Sequence, residues 1–135
     1  MENYLDLKVR QSQELSDFPV SYAFSDKQLL EALTKLDAVK ADVCTLGAGT
    51  VIKKTDVKQF NAMFARHSDE VKAAFTDNDV LIEAIVYELG NHEYCITHDP
   101  IDTIEALSLE MSDTRIANCF QEAARQYLDN NEGLN

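Results

Sequence analysis

Within seven residues, His92-x-x-Cys95-x-x-His98, flanked by Glu93 and Asp99, gathers the side chains that ligate metals. Imidazole and thiolate suit zinc, and a structural zinc site takes four such ligands in a tetrahedron. The window offers three of these, the spacing matches no standard finger, and Cys44 or His67 would have to complete the set. The same residues admit a second chemistry, a Cys95 nucleophile beside a His92 base. No oxyanion hole is evident near them, and free cysteine is usually buried and inert. The bland alternative is a polar loop in which Tyr94 and Cys95 are buried and the histidines hydrogen-bond locally. The expectation is therefore no cofactor and no enzyme. Zinc at His92, Cys95 and His98 is the alternative, and a Cys–His hydrolase the second alternative.

Gly47-Ala-Gly49 followed by Lys53-Lys54 has some parts of a phosphate loop, whose glycines let backbone amides surround an anion. The full Walker spacing and the dinucleotide pattern are both missing. A tight turn with two solvated lysines is the simpler reading.

The remaining chemistry is acidic. The chain carries 24 acids against 12 bases, and residues 68–135 hold fifteen acids with only Lys72, Arg115 and Arg125. Residues 1–67 balance to zero. The candidate binding residues are Asp79, Glu83, Glu88, Glu93, Asp99, Asp102 and Glu105. Glu83 and Glu88 are expected on the polar side of a helix, and Asp102 and Glu105 are neighbours at i, i+3. Such a face can imitate the phosphates of DNA and compete for a groove rich in Lys and Arg. The opposite reading is ordinary solubility. A net charge of −12 disfavours direct binding to nucleic-acid phosphates, which needs clustered bases, and no direct nucleic-acid binding is expected.

The elements that position these residues are mostly helical. Tyr4, Leu7, Leu15 and Phe18 roughly share a helical face, although Leu5–Val9 alternates and also fits a strand; helix is the favoured reading, and Phe18-Pro19 ends it. An extended piece, Val20–Phe24, follows. Ser25-Asp-Lys-Gln28 has the form of a capping box before a helix with Leu29, Leu33 and Leu36. The stretch 44–53 reads as a loop or small hairpin around its glycines. Thr55 is expected to cap a helix with Phe60, Met63, Phe64, His67, Val71 and Phe75 at intervals of three and four. Asp77-Asn78 breaks it. A further helix through Val80, Leu81, Ala84, Ile85, Val86 and Leu89 stops at Gly90. Residues 94–97 read as a loop or short strand. Asp99-Pro100 starts a short helix with Ile104 and Leu107. Ser112 is expected to cap the last one, through Ile116, Cys119, Phe120, Ala123 and Tyr127. The fold class is mainly α, with five to six helices and extended segments near 44–53 and 94–97.

At 135 residues one domain over 1–135 is expected, with 1–2 and 129–135 frayed. A chain of this size buries roughly two thirds of its unfolded surface and needs no staples. Three cysteines with no close pair suit a reducing cytosol. No apolar run is of membrane-spanning length, and the start lacks the pattern of an export signal, so a cytoplasmic protein is expected.

Three stretches, Phe18–Gln28, Leu46–Asp56 and Tyr87–Thr97, resemble a family of small proteins encoded by phages, prophages and plasmids of Gram-positive bacteria. The resemblance covers roughly residues 3–110 and centres on Asn91-His-Glu-Tyr-Cys95. Some small acidic proteins of such elements are anti-CRISPR inhibitors. The resemblance implies inhibition of a host defence protein, a Cas nuclease such as Cas9, inside the bacterial cell. It carries over no catalytic residue.

Overall fold

The computed structural model describes residues 2–131. Among them are seven α-helices and one three-stranded antiparallel sheet. The mainly helical class is as expected. Two units partition the chain, Arg10–Asp69 and the pair Met1–Val9 with Glu70–Asn135. The boundaries fall inside α1 (Tyr4–Asp17) and α3 (Val57–Ala74).

In the Arg10–Asp69 unit, β1 (Val20–Tyr22), β2 (Val43–Thr45) and β3 (Thr50–Lys53) form a sheet in the order β1-β3-β2. Central β3 is covered on both faces, so Val51 and Ile52 are both fully buried despite pointing opposite ways. Val51 packs with Ala32, Leu33 and Leu36 of α2 (Asp26–Leu36). Ile52 packs with Phe60 and Met63 of α3, and with Leu15 and Phe18. The Ser25 cap forms as expected, its hydroxyl accepting the Gln28 amide at 3.2 Å. Gln28 reaches back to the Phe24 amide at 2.7 Å. The 44–53 stretch is a hairpin whose turn puts Gly49 at φ +72° under the Phe24 ring, where a Cβ would lie 2.5 Å from ring carbon. A side chain there would be strained by the positive φ and would have to displace the exposed Phe24 ring.

In the other unit, α4 (Asn78–Asn91) packs on α7 (Thr114–Asn131). Val80, Leu81, Ala84, Ile85 and Leu89 meet Cys119, Phe120, Ala123 and Tyr127, with Tyr4 of α1 in the same core. Two short helices, α5 (Tyr94–Thr97) and α6 (Ile101–Ala106), join them.

Several local expectations are corrected. Residues 94–97 are helical, bracketed by left-handed Glu93 (φ 54°) and His98 (φ 54°). Gly90 lies inside α4, which runs on to Asn91 because the next turn is held by the His92 amide on the Glu88 carbonyl. Asp113, not Ser112, caps α7, accepting the Arg115 amide at 2.9 Å. A 3-10 turn, Lys54–Asp56, leads into α3 in place of a simple Thr55 cap. Phe64 is exposed, edge-on to Phe60. Residues 129–131 continue α7, while Met1 and 132–135 lie outside the described residues. No helix among the described residues is long and apolar enough to cross a membrane.

Candidate functional site

The division into units sharpens the charge asymmetry. The Arg10–Asp69 unit carries eight acids and eight bases, and the other carries sixteen acids and four bases. The full net charge of −12 thus belongs to the second, the acidic unit.

Six of the seven candidate carboxylates lie at or near its surface. Asp79, Glu93, Asp99, Asp102 and Glu105 are exposed, and Glu83 is half-buried. Some also organise backbone. Glu83 accepts the Leu5 amide at 3.3 Å, and Asp99 accepts the Ile101 amide at 3.0 Å at the start of α6. None of the six forms an ion pair among the described residues, so their field is not neutralised locally. Glu122, by contrast, is paired with Arg125, whose guanidinium holds its carboxyl down at about 2.

The seventh, Glu88, is 5% exposed and is a correction to the polar-side expectation. It stands four residues after Ala84 and three after Ile85, on the buried face of α4. Tyr4 Oη donates to its Oε1 at 2.8 Å, and Lys8 Nζ lies 3.1 Å from the same oxygen. Asn91 Nδ2 and His92 Nε2 each lie 3.4 Å from Oε2. Burial works to raise the Glu88 pKa, but hydrogen bonds from Tyr4 and Lys8 and the Lys8 charge outweigh it, and the net shift is downward. Tyr4 moves the other way, raised by burial and then by its bond to Glu88. Lys8 also sits 5.5 Å from the centroids of the Tyr4 and Tyr87 rings, a cation–π arrangement. The Glu88 carboxylate is thus hydrogen-bonded through both oxygens where it lies between α1 and α4.

The His92, Cys95, His98 motif is dispersed over three roles. His92 faces Glu88 at the end of α4. Cys95 is half-buried, its amide donating to Tyr127 Oη at 3.3 Å, and the bond with its side chain pushes the Tyr127 phenol above its ordinary value. His98 is exposed, with its ring 6.2 Å from Tyr94. Cys44 is in β2, and His67 is engaged by Glu14 at 3.0 Å. Among the described residues no group of three or more His, Cys, Asp or Glu is placed to hold a metal ion.

Sequence reasoning did not single out the flank of α4. Ile82 and Val86 are half-buried there and pack one side against the core, while Tyr87, packed on Tyr4, and Asp79 and Glu83 lie beyond them. With Leu5 of α1 and Gln126 of α7 they line a groove of about 480 Å³. The signal was available, since α4 is apolar at both its inner positions and these flanking ones.

No curated protein and no solved structure matches this chain. A protein-family model matches residues 3–126, and on that extent the chain belongs to the family of unknown function DUF7659.

Proposed function

We propose that this protein acts by binding a positively charged surface of another protein through its acidic unit. The observation that carries the reading is that six carboxylates of one unit lie at or near its surface without ion pairs, while all the net charge belongs to that unit. Unpaired surface carboxylates act at a distance of about a Debye length, roughly 10 Å at 0.1 M salt, and speed encounter with a basic partner. A groove that ordinarily grips DNA phosphates through Lys and Arg is such a partner. The finer reading is inhibition of a host defence nuclease by a protein from a mobile element, with Cas9 as the target. Its support is the resemblance of the Asn91–Cys95 region to phage-encoded proteins, together with the acidic surface.

The test is binding to purified Cas9–guide complex at about 0.1 and 0.4 M salt, with DNA cleavage followed in parallel. Saturable binding that weakens with salt, and slower cleavage at the lower salt, are expected. Absence of binding removes Cas9 as the target, and binding indifferent to salt contradicts the electrostatic mechanism.

A further inference from the structure

An amphipathic helix in water normally turns polar residues outward, because exposed apolar surface gains nothing from staying in place. In α4 the inner residues Leu81, Ala84, Ile85 and Leu89 are buried as they should be. On its flank Ile82 and Val86 are half-buried, packed against that core with one side, and Tyr87 is 38% exposed with its ring against Tyr4 and Lys8. Leu5, on the facing helix of the same unit, is 44% exposed. These four residues form the apolar floor of the 480 Å³ groove, and Asp79 and Glu83 stand on its wall. Asp79 and Glu83 are one helical turn apart, as are Ile82 and Val86, so both rows run along the helix axis. Neither carboxylate is ion-paired among the described residues.

We propose that this groove docks a basic amphipathic helix of a partner protein. The partner's aliphatic side chains enter between Leu5 and the Ile82–Val86 row, and its Lys or Arg side chains reach Asp79 and Glu83. An apolar row beside a carboxylate row selects a ligand with the complementary pair of rows. A helix supplies them at the same 5.4 Å repeat as α4. Polar basic strands or loops satisfy only the carboxylates, and neutral apolar helices only the floor. The inference rests on the reading that the acidic unit binds a basic protein, and it names the surface that gives that binding its specificity.

The probe is a fluorescein-labelled helical peptide with leucines at i, i+3, i+4 and i+7 and lysines on the adjoining positions. A scrambled peptide of identical composition is the comparison. Anisotropy titrations with the full chain should show the amphipathic peptide binding roughly tenfold tighter, about 1.4 kcal/mol. L5Q/I82Q should remove that preference and leave the weak, salt-sensitive binding of the scrambled peptide. D79N/E83Q, whose side-chain carbonyl at position 83 can still accept the Leu5 amide, should weaken both peptides and flatten the salt dependence. Amide shifts of the wild-type protein should move at Leu5, Ile82, Val86 and Tyr87, a readout that does not depend on how well the variants fold. Equal binding of the two peptides overturns the groove but spares the charge-based reading, and no binding of either overturns both. A preference that survives L5Q/I82Q, or shifts confined to other residues, places the apolar contact elsewhere and overturns the proposal. So does tighter binding of dodecylammonium than of the peptide, which would mark a small-amphiphile site.

Discussion

Glu88 in the acidic unit and Glu14 in the neutral one make the same kind of constellation in different surroundings. Each carboxylate is shared between a cation and a histidine, Lys8 and His92 in the first case, Arg66 and His67 in the second. The Glu88 side chain is 6% exposed and that of Glu14 is 34% exposed. In the neutral unit the histidine goes inside, and the acid stays in reach of water. Burying a carboxylate is tolerated only when hydrogen bonds replace its hydration, and Glu88 has Tyr4, Lys8 and Asn91 for that purpose. Burial thus separates an acid whose hydration the fold replaces from one that water still reaches. In a unit with an excess of acids, the buried one is held by hydrogen bonds within the fold, and the exposed, unpaired ones are those the proposed binding would use.

The largest effect that separates the two constellations is expected from Glu88→Ala. Removing one partner of a buried pair costs about 3–5 kcal/mol, but Lys8 is 42% exposed and can regain water. A loss of about 2–3 kcal/mol is therefore expected in urea unfolding, with Glu88→Gln milder. Tyr4→Phe keeps the ring in the core and removes one donor to a charged acceptor, for an expected loss of about 1–2 kcal/mol. Glu14→Gln in the neutral unit should cost under about 1 kcal/mol, because the carboxylate is 34% exposed and its Arg66 partner 49% exposed, so water screens that pair. If Glu14→Gln proved as damaging as Glu88→Ala, burial would not be what distinguishes the two.

The pH dependence follows from the opposite shifts of Glu88 and Tyr4. Glu88 is held below its ordinary 4.5, so folding favours its charged form. Its contribution is complete above the unfolded value and is lost as pH falls through the folded one. The stability gap between wild type and Glu88→Gln should thus be constant from neutral pH to about 5 and narrow below about 4.5. Tyr4 is held above its ordinary 10.0, so its contribution is complete below that value and fades as pH rises through the folded one. The gap between wild type and Tyr4→Phe should close only in strong alkali. Narrowing of the Glu88 gap already at about pH 6 would contradict a lowered Glu88 pKa as the source of the dependence.

Much of the fold was legible because it follows local rules. The Ser25-x-x-Gln28 spacing announced α2, and Phe60, Met63 and His67 recur at the period that buries one side of α3. What escaped depended on neighbours distant in sequence. Residue 88 falls at a core position of α4, yet its charge points to the surface, and two of the groups that replace its hydration, Tyr4 and Lys8, lie some eighty residues away. Helix α5 depends on two positive-φ residues and on the Cys95 amide finding Tyr127, neither of which local propensity contains. The His92, Cys95, His98 spacing suggested a shared role, but a helix end, a four-residue helix and a left-handed residue point the three to separate partners. The acidic surface was visible from charge alone, whereas the groove required knowing which side of α4 faced the core.

The proposed binding assigns the partner surface to the acidic unit and not to the neutral one. Two triple charge reversals test it side by side, D79K/D102K/E105K in the acidic unit and D17K/E31K/D42K in the neutral one, all at exposed positions. Circular dichroism verifies that both fold, and affinity for the Cas9–guide complex is then measured near 0.1 M salt. Reversing the local field should weaken binding roughly a hundredfold for the acidic-unit set, with only a few-fold change for the neutral set. Equal losses, or a larger loss from the neutral set with both proteins folded, would contradict the account and leave the acidic surface as a matter of solubility.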